Sequence, residues 1–292
     1  MEIGEIVTEL AAFTGVSSLC AFGCESGRLG IFDAENCRIV YDNKFQFPIT
    51  GLTTDDEKNL YFTDTKSIYR YDMRSSDKPQ NIYSSSKEIL SFCLFNEQLA
   101  VSSSKEGIVL SDTRILKQPY KQDPNSSIPS CHIQFIDNEN IIASYVDGSL
   151  IKWNKNSEEK IELEVNPLTK IRKMRTIGMA AYNDYLAVGY QSGFSIYKNF
   201  SLIEHTDGGQ KALLKSMIYA PCFEAEYITF LTEDNIIYPY NLDTNTCAPS
   251  KPFTGTEITK ISANYLMIVA ADNEEEGRIA VMMPEDFSDE FF

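Results

Sequence analysis

A short strand-and-turn segment recurs about every 40 residues along this chain, and no other feature constrains the fold as tightly. The segments are GRLGIFD (27–33), KSIYRYD (66–72), EGIVLSD (106–112), GSLIKWN (148–154) and GFSIYK (193–198), with two weaker members, NIIYPYN (235–241) and GRIAVM (277–282). They end at Asp33, Asp72, Asp112, Asn154, Lys198, Asn241 and Met282, so successive ends lie 39 to 44 residues apart. A second strand precedes each: LCAFG from Leu19, LYFTD from Leu60, LAVSS from Leu99, IIASY from Ile141, LAVGY from Leu186, YITFL from Tyr227 and LMIVAA from Leu266. Gly27, Gly107, Gly148 and Gly193, or Asn235 in one case, fall in the intervening turns, where tight hairpins call for left-handed backbone. Another strand lies upstream in each unit, as in Ile89–Phe95, and a fourth follows the polar end residue, as in Cys37–Tyr41. Four antiparallel strands repeated seven times are the pattern of an all-β, seven-bladed β-propeller.

Helix signals do not compete with this reading. No window of a dozen residues sustains a 3.6-residue apolar period with a cap and a stop. A parallel α/β fold would need such helices, and a sandwich would not need one period throughout the chain. Residues 1–283 are therefore read as a single propeller, with 284–292 as an acidic and aromatic tail. An open propeller would expose strand edges. The last unit shows little sequence for an outer strand. Ile3 and Leu10 repeat the seven-residue spacing of Ile82 and Ile89, which predicts that residues 1–5 supply the missing strand. Phe287 to Phe292 are the alternative source.

Charge narrows the choice of partner. The chain carries 42 acidic against 26 basic residues, a net charge of −16. Such a surface repels a phosphate backbone and steers basic partners toward itself, although acidity also serves plain solubility. The one basic cluster, Thr169–Arg175, is too small to argue for nucleic-acid binding. No apolar run reaches 18 residues, so no membrane span is expected, and MEIGEIVTEL has no basic, then apolar, leader pattern. The seven cysteines (Cys20, Cys24, Cys37, Cys93, Cys131, Cys222, Cys247) are odd in number and irregular in spacing. They read as free thiols of a reducing compartment, which points to a cytoplasmic or nuclear location.

At Lys152-Trp153-Asn154 the sequence resembles the WD-repeat propeller family, whose unit ends in Trp-Asp. Tyr71-Asp72, Phe32-Asp33 and Ser111-Asp112 keep the aspartate without the tryptophan, and Asp147-Gly148 is similar to the family's turn between middle strands. The family's upstream Gly-His pair is missing, and the chain's two histidines, His132 and His205, fall elsewhere. The resemblance implies a propeller that binds proteins as a scaffold.

Two Asp-x-Arg motifs stand forty residues apart, Asp72-Met73-Arg74 and Asp112-Thr113-Arg114. Each arginine follows the third strand of its blade, and a guanidinium offers planar, paired donors to carboxylates or carbonyls. The arrangement resembles that of propellers serving as substrate receptors of a cullin–RING ubiquitin ligase, in which such motifs face the ligase's adaptor protein. It equally suits an aspartate that caps a turn and an arginine that pairs with a surface carboxylate. Turns at the other end of the blades hold Glu25, Asp64, Glu106, Asp147, Glu233, Asp234 and Asp272, then Glu274, Glu275 and Glu276. These carboxylates are expected to form a negative surface for a basic protein or peptide, with Tyr145 and Tyr190 as aromatic anchors, or else to be simple solvated turns.

Catalytic signals are weak. There is no phosphate loop or dinucleotide fingerprint, and Cys20 and Cys24 have no second pair at metal-site spacing. Cys131 and His132 are strand neighbours whose side chains alternate faces. The sequence thus predicts a non-enzymatic scaffold without catalytic residues, cofactor or metal, binding neither nucleic acid nor membrane. An assembly factor for a basic protein, or a structural subunit of a larger complex, is the alternative.

Overall fold

The computed structural model describes residues 2–14, 17–55, 59–75, 78–104, 107–115, 119–122, 129–165, 175–207, 213–220, 227–244, 246–247, 251–252, 257–272 and 277–282. Among them there is no helix, and the fold is an all-β, seven-bladed β-propeller. Blade 1 comprises β1 (Val7–Ala12), β2 (Leu19–Cys24), β3 (Arg28–Asp33) and β4 (Arg38–Lys44). Blade 2 comprises β5 (Gly51–Thr54), β6 (Asn59–Thr63), β7 (Ser67–Asp72) and β8 (Gln80–Ser84). Blade 3 has β9 (Ile89–Phe95), β10 (Gln98–Ser103), β11 (Gly107–Asp112) and β12 (Pro119–Gln122). Blade 4 has β13 (Ser130–Phe135), β14 (Asn140–Tyr145), β15 (Leu150–Asn154) and β16 (Lys160–Glu162). Blade 5 has β17 (Thr176–Tyr182), β18 (Tyr185–Tyr190), β19 (Gly193–Lys198) and β20 (Ser201–Asp207). In blade 6, β21 (Leu214–Ala220), β22 (Tyr227–Thr232) and β23 (Ile236–Asn241) are followed by an outer strand broken into β24 (Thr246–Cys247) and β25 (Lys251–Pro252). Blade 7 has β26 (Ile258–Ala263), β27 (Ile268–Asp272) and β28 (Ile279–Met282). The third strands end on the seven residues that close the sequence repeats.

Each blade is an antiparallel meander, and the second strand carries the core. Strands β2, β10, β14, β18 and β22 are buried at every position after the first, and β6 and β27 throughout. A strand covered on both faces reads as a continuous apolar or small-residue run rather than an alternating one. Gly23 shows how close the cover lies, because a Cβ there would meet Ile49 at 2.5 Å.

Two compact units make up the chain, 1–80 with 218–292, and 81–217. In the first, Phe22, Phe32 and Val7 pack with Met267 and Val269 between blades 1 and 7, while Leu29, Ile31, Leu60 and Phe62 fill the space between blades 1 and 2. In the second, Leu110, Phe135, Ile141 and Trp153 pack between blades 3 and 4. Ile142, Leu150, Leu186, Val188 and Tyr197 do so between blades 4 and 5. Fully burying one such side chain stabilises the fold by about 1.5–3 kcal/mol.

The N-terminal residues take the place of the fourth strand of blade 7. Glu2 forms an antiparallel bridge with Arg278, Ile3 N donates to Gly277 O at 2.7 Å, and Ile3 is buried. The contact is a bridge rather than a full strand. The tail at 284–292 lies outside the described residues. Two expected turn glycines open the third strand instead: Gly107 begins β11 and pairs with Ser103, and Gly193 begins β19 and pairs with Tyr190. The hairpin before β19 is Gln191-Ser192, whereas Gly27 does adopt the left-handed turn conformation, at φ +89°.

Candidate protein-binding surfaces

In five of the repeats, those ending at Asp33, Asp72, Asp112, Asn154 and Asn241, the polar end residue is a turn device. Asn154 Oδ1 accepts from the backbone N–H of Asn156 and Ser157 at 3.0 and 2.9 Å, and Asn241 Oδ1 does the same for Asp243 and Thr244 at 2.8 and 2.9 Å. Asp33 holds the turn N–H groups of Glu35 and Asn36, and also accepts from Ser18 Oγ at 2.8 Å. A side-chain oxygen of this length mimics one backbone carbonyl and closes the turn to the fourth strand. Side-chain donation from Asn36, then from Ser18, holds the Asp33 carboxyl below the usual carboxylate range.

Asp72 and Asp112 begin the same way and then engage their arginines. Asp72 Oδ1 accepts from Arg74 N and Arg74 Nε, both at 2.9 Å, and Oδ2 accepts from Nη2 at 3.0 Å. Asp112 Oδ1 accepts from Arg114 N at 2.8 Å and Nε at 2.9 Å, with Nη2 on Oδ2 at 2.6 Å. Each guanidinium thus presents its paired donors to its own aspartate. These bonds, the side-chain ones first, hold both carboxyls below their ordinary range. The arginine side chains stay outward, 58% and 62% exposed.

What surrounds the two arginines differs. Beside Asp72, a depression of about 550 Å³ is lined by Arg70, Asp72, Ser75, Lys78, Pro79 and Gln80, and Arg70 Nε donates to Asn59 Oδ1 at 3.1 Å. Beside Asp112, a groove of about 610 Å³ runs across the ends of blades 3 and 4. Arg114 and Asp112 are joined there by Asn96, Glu97, Gln98, Asn138, Lys155 and Asn156. Glu97 Oε2 lies 3.6 Å from Arg114 Nη1. Two bonds link the blades here: Asn96 Nδ2 donates to Asn138 Oδ1 at 3.3 Å, and Lys155 Nζ donates to Gln98 Oε1.

In a meander the turns joining first to second and third to fourth strands share one end, and the middle turns take the other. The expected acidic residues of those middle turns fall into three groups. Glu25, Glu233 and Asp234 are exposed. Asp64 is half-buried and accepts from Lys66 N and Ser67 N at 2.6 Å, and Asp147 accepts from Ser149 N at 3.0 Å and Ser149 Oγ at 2.7 Å. Both therefore spend their carboxylates on their own turns. Asp272 is buried and accepts from Arg278 N at 2.7 Å inside the blade 7 hairpin. Glu106, Glu274, Glu275 and Glu276 lie outside the described residues, as does most of the basic cluster, 169–174.

Tyr145 and Tyr190 are not surface anchors. They are 5% and 2% exposed and belong to the packing between blades 3 and 4 and between blades 4 and 5. Burial pushes the Tyr190 phenol up to about 12, with hydrogen bonding to Ser195 and Tyr197 pulling the other way. Both residues end second strands, where cover from neighbouring blades extends to the last position.

The histidines serve the framework. His132 Nδ1 lies 2.9 Å from Thr176 Oγ1, which lies 2.7 Å from Ser144 Oγ, so a hydroxyl chain joins blade 4 to blade 5. His205 Nδ1 lies 2.9 Å from Ser195 Oγ, but Ser195 is fully buried and out of reach of a substrate. Among the described residues no three His, Cys, Asp or Glu side chains gather as metal ligands. Burial raises the Cys20 and Cys93 thiols.

Sequence reasoning passed over the groove amides, although the repeat held the signal. Asn96 and Asn138 sit 42 residues apart in equivalent first turns, and Asn156 takes in blade 4 the position that Arg114 has in blade 3. Protein–protein interaction is a common use of the propeller fold. Compared with known proteins, the chain matches no family model, and no curated protein is similar to it in sequence.

Proposed function

We propose that this propeller is a non-enzymatic, WD-repeat-type scaffold that docks the adaptor of a cullin–RING ubiquitin ligase through its Asp-x-Arg blade ends. The observation that supports it is the recurrence of one geometry, an outward arginine braced on its own aspartate, at the same point of blades 2 and 3. A braced guanidinium loses little freedom on binding, which favours specific docking over loose attraction. In this reading client proteins bind at the opposite blade ends. Buried thiols suit a cytoplasmic or nuclear setting.

The test is a pair of affinity purifications from cells, with the native chain and with Arg74→Ala and Arg114→Ala combined. The expected result is loss of the ligase adaptor with other partners retained. A double variant that keeps every partner overturns the reading. A second reading, an assembly factor for a basic protein, is favoured by the net charge of −16 and the exposed Glu25, Glu233 and Asp234. Its complex would survive the double substitution and weaken steeply with salt.

A further inference from the structure

The groove across blades 3 and 4 has a lining unlike an ordinary interface core. Among the described residues no apolar side chain lines it, while Asn96, Asn138, Asn156 and Gln98 bring four primary amides. An amide donates and accepts from one planar group, which is what a peptide main chain requires of whatever reads it. The Asn96–Asn138 and Lys155–Gln98 bonds link the two blades along the groove. A volume of about 610 Å³ is in the range of sites that hold small ligands or short peptide segments.

Charge selects the side chain such a segment should carry. Arg114 and Lys155 are the cations of the groove, yet Arg114 already faces Asp112 and Glu97. Around them the four turns and the end of β11 hold six carboxylates, Glu97, Asp112, Asp137, Glu139, Glu158 and Glu159, against two cations among the described residues. Glu97 is the carboxylate that lines the groove and stays open to solvent, its side chain 58% exposed. A basic side chain is favoured there and an acidic one is opposed.

We infer that this groove binds an extended peptide segment of a partner protein, taking its main chain on the Asn96, Asn138 and Asn156 amides and a lysine or arginine on Glu97. The inference goes beyond ligase docking and predicts the opposite role for Arg114. There Arg114 competes with the ligand for Glu97 instead of supplying the contact.

The test uses the full chain with nitrogen-15 in its asparagine side chains and two probes, acetyl-Gly-Ser-Arg-Ser-Gly-amide and the same peptide with glutamate in place of arginine. Titration with the arginine peptide should shift the side-chain amide signals of Asn96, Asn138 and Asn156, assigned by their loss in single alanine variants. Glu97→Gln should weaken that binding about threefold, the scale of one exposed ion pair, and Arg114→Ala should strengthen it by a similar factor. Glu35→Gln, on an exposed turn of blade 1, should leave it unchanged. Absence of shifts, equal binding of the glutamate peptide, or weakening by Arg114→Ala each overturns the inference. Adaptor loss in the Arg74 and Arg114 double variant reads the docking proposal separately.

Discussion

Arg74 and Arg114 follow their strands by the same two residues and brace on the same kind of carboxylate, but they serve different neighbourhoods. At blade 2 the aspartate, not the arginine, lines a depression, together with Arg70, Lys78, Ser75, Pro79 and Gln80. At blade 3 the arginine stands among amides, with Glu97 on its far side. Burial differs too, since the Asp72 side chain is 31% exposed and that of Asp112 only 17%. The comparison separates two roles of one motif. The three residues specify a turn, which is the same in both blades. What the turn can bind is set by side chains that the repeat brings beside it.

The largest effect should come from removing the cap. Asp112→Ala takes away a turn acceptor and an ion-pair partner at a mostly covered site, and should cost about 1 kcal/mol in urea unfolding, within the range for lost caps and charged hydrogen bonds. Asp72→Ala removes the same bonds from a more exposed site and should cost less. If the blade 2 variant proves the more damaging, exposure does not govern the value of this turn and the comparison breaks.

Much of the architecture was legible because the period resides in backbone-determined features. All seven third-strand ends were readable from the period, and at Asp33, Asp72, Asp112, Asn154 and Asn241 a short polar side chain also marks the turn. Side-chain fate was less legible. Asp64 and Asp147 were expected at the surface as charge, yet an aspartate is short enough to reach the turn N–H groups two and three residues on, and these did. Glutamate has an extra methylene, and Glu25 and Glu233 remain exposed. Tyr145 and Tyr190 misled because alternation along a strand normally marks one face as solvent, and a second strand in a propeller has no solvent face. The groove amides were hidden because each belongs to a separate turn and joins the others only through the packing of two blades.

A charge reversal sharpens the contrast with a smaller effect. Arg114→Glu would gather three carboxylates, Glu97, Asp112 and the new one, with Lys155 as the cation of the same groove. Arg74→Glu would set the new charge beside Asp72, whose depression also holds the cations Arg70 and Lys78. The blade 3 variant should therefore lower the melting temperature more, and added salt should recover most of the difference because these groups are solvent-facing. An equal loss at both sites, unaffected by salt, would mean that the surroundings do not matter and only the brace does.

The smallest effect concerns acid. In the unfolded chain both aspartates titrate near about 3.9, whereas in the fold their arginines hold them lower. A depressed folded value adds stability above the unfolded pKa, and that contribution drains away as pH falls through the folded one. Asparagine at the same position keeps the turn acceptor, as Asn154 and Asn241 show, and removes the titration. Asp112→Asn should then be milder than Asp112→Ala at pH 7, and its stability should fall less than that of the native chain between about pH 4 and the acid limit. Asp72→Asn should show the same flattening to a lesser degree. If Asp112→Asn is as damaging at neutral pH as the alanine variant, the brace to Arg114 rather than the cap carries the aspartate's value, and the two roles assigned to the motif exchange places.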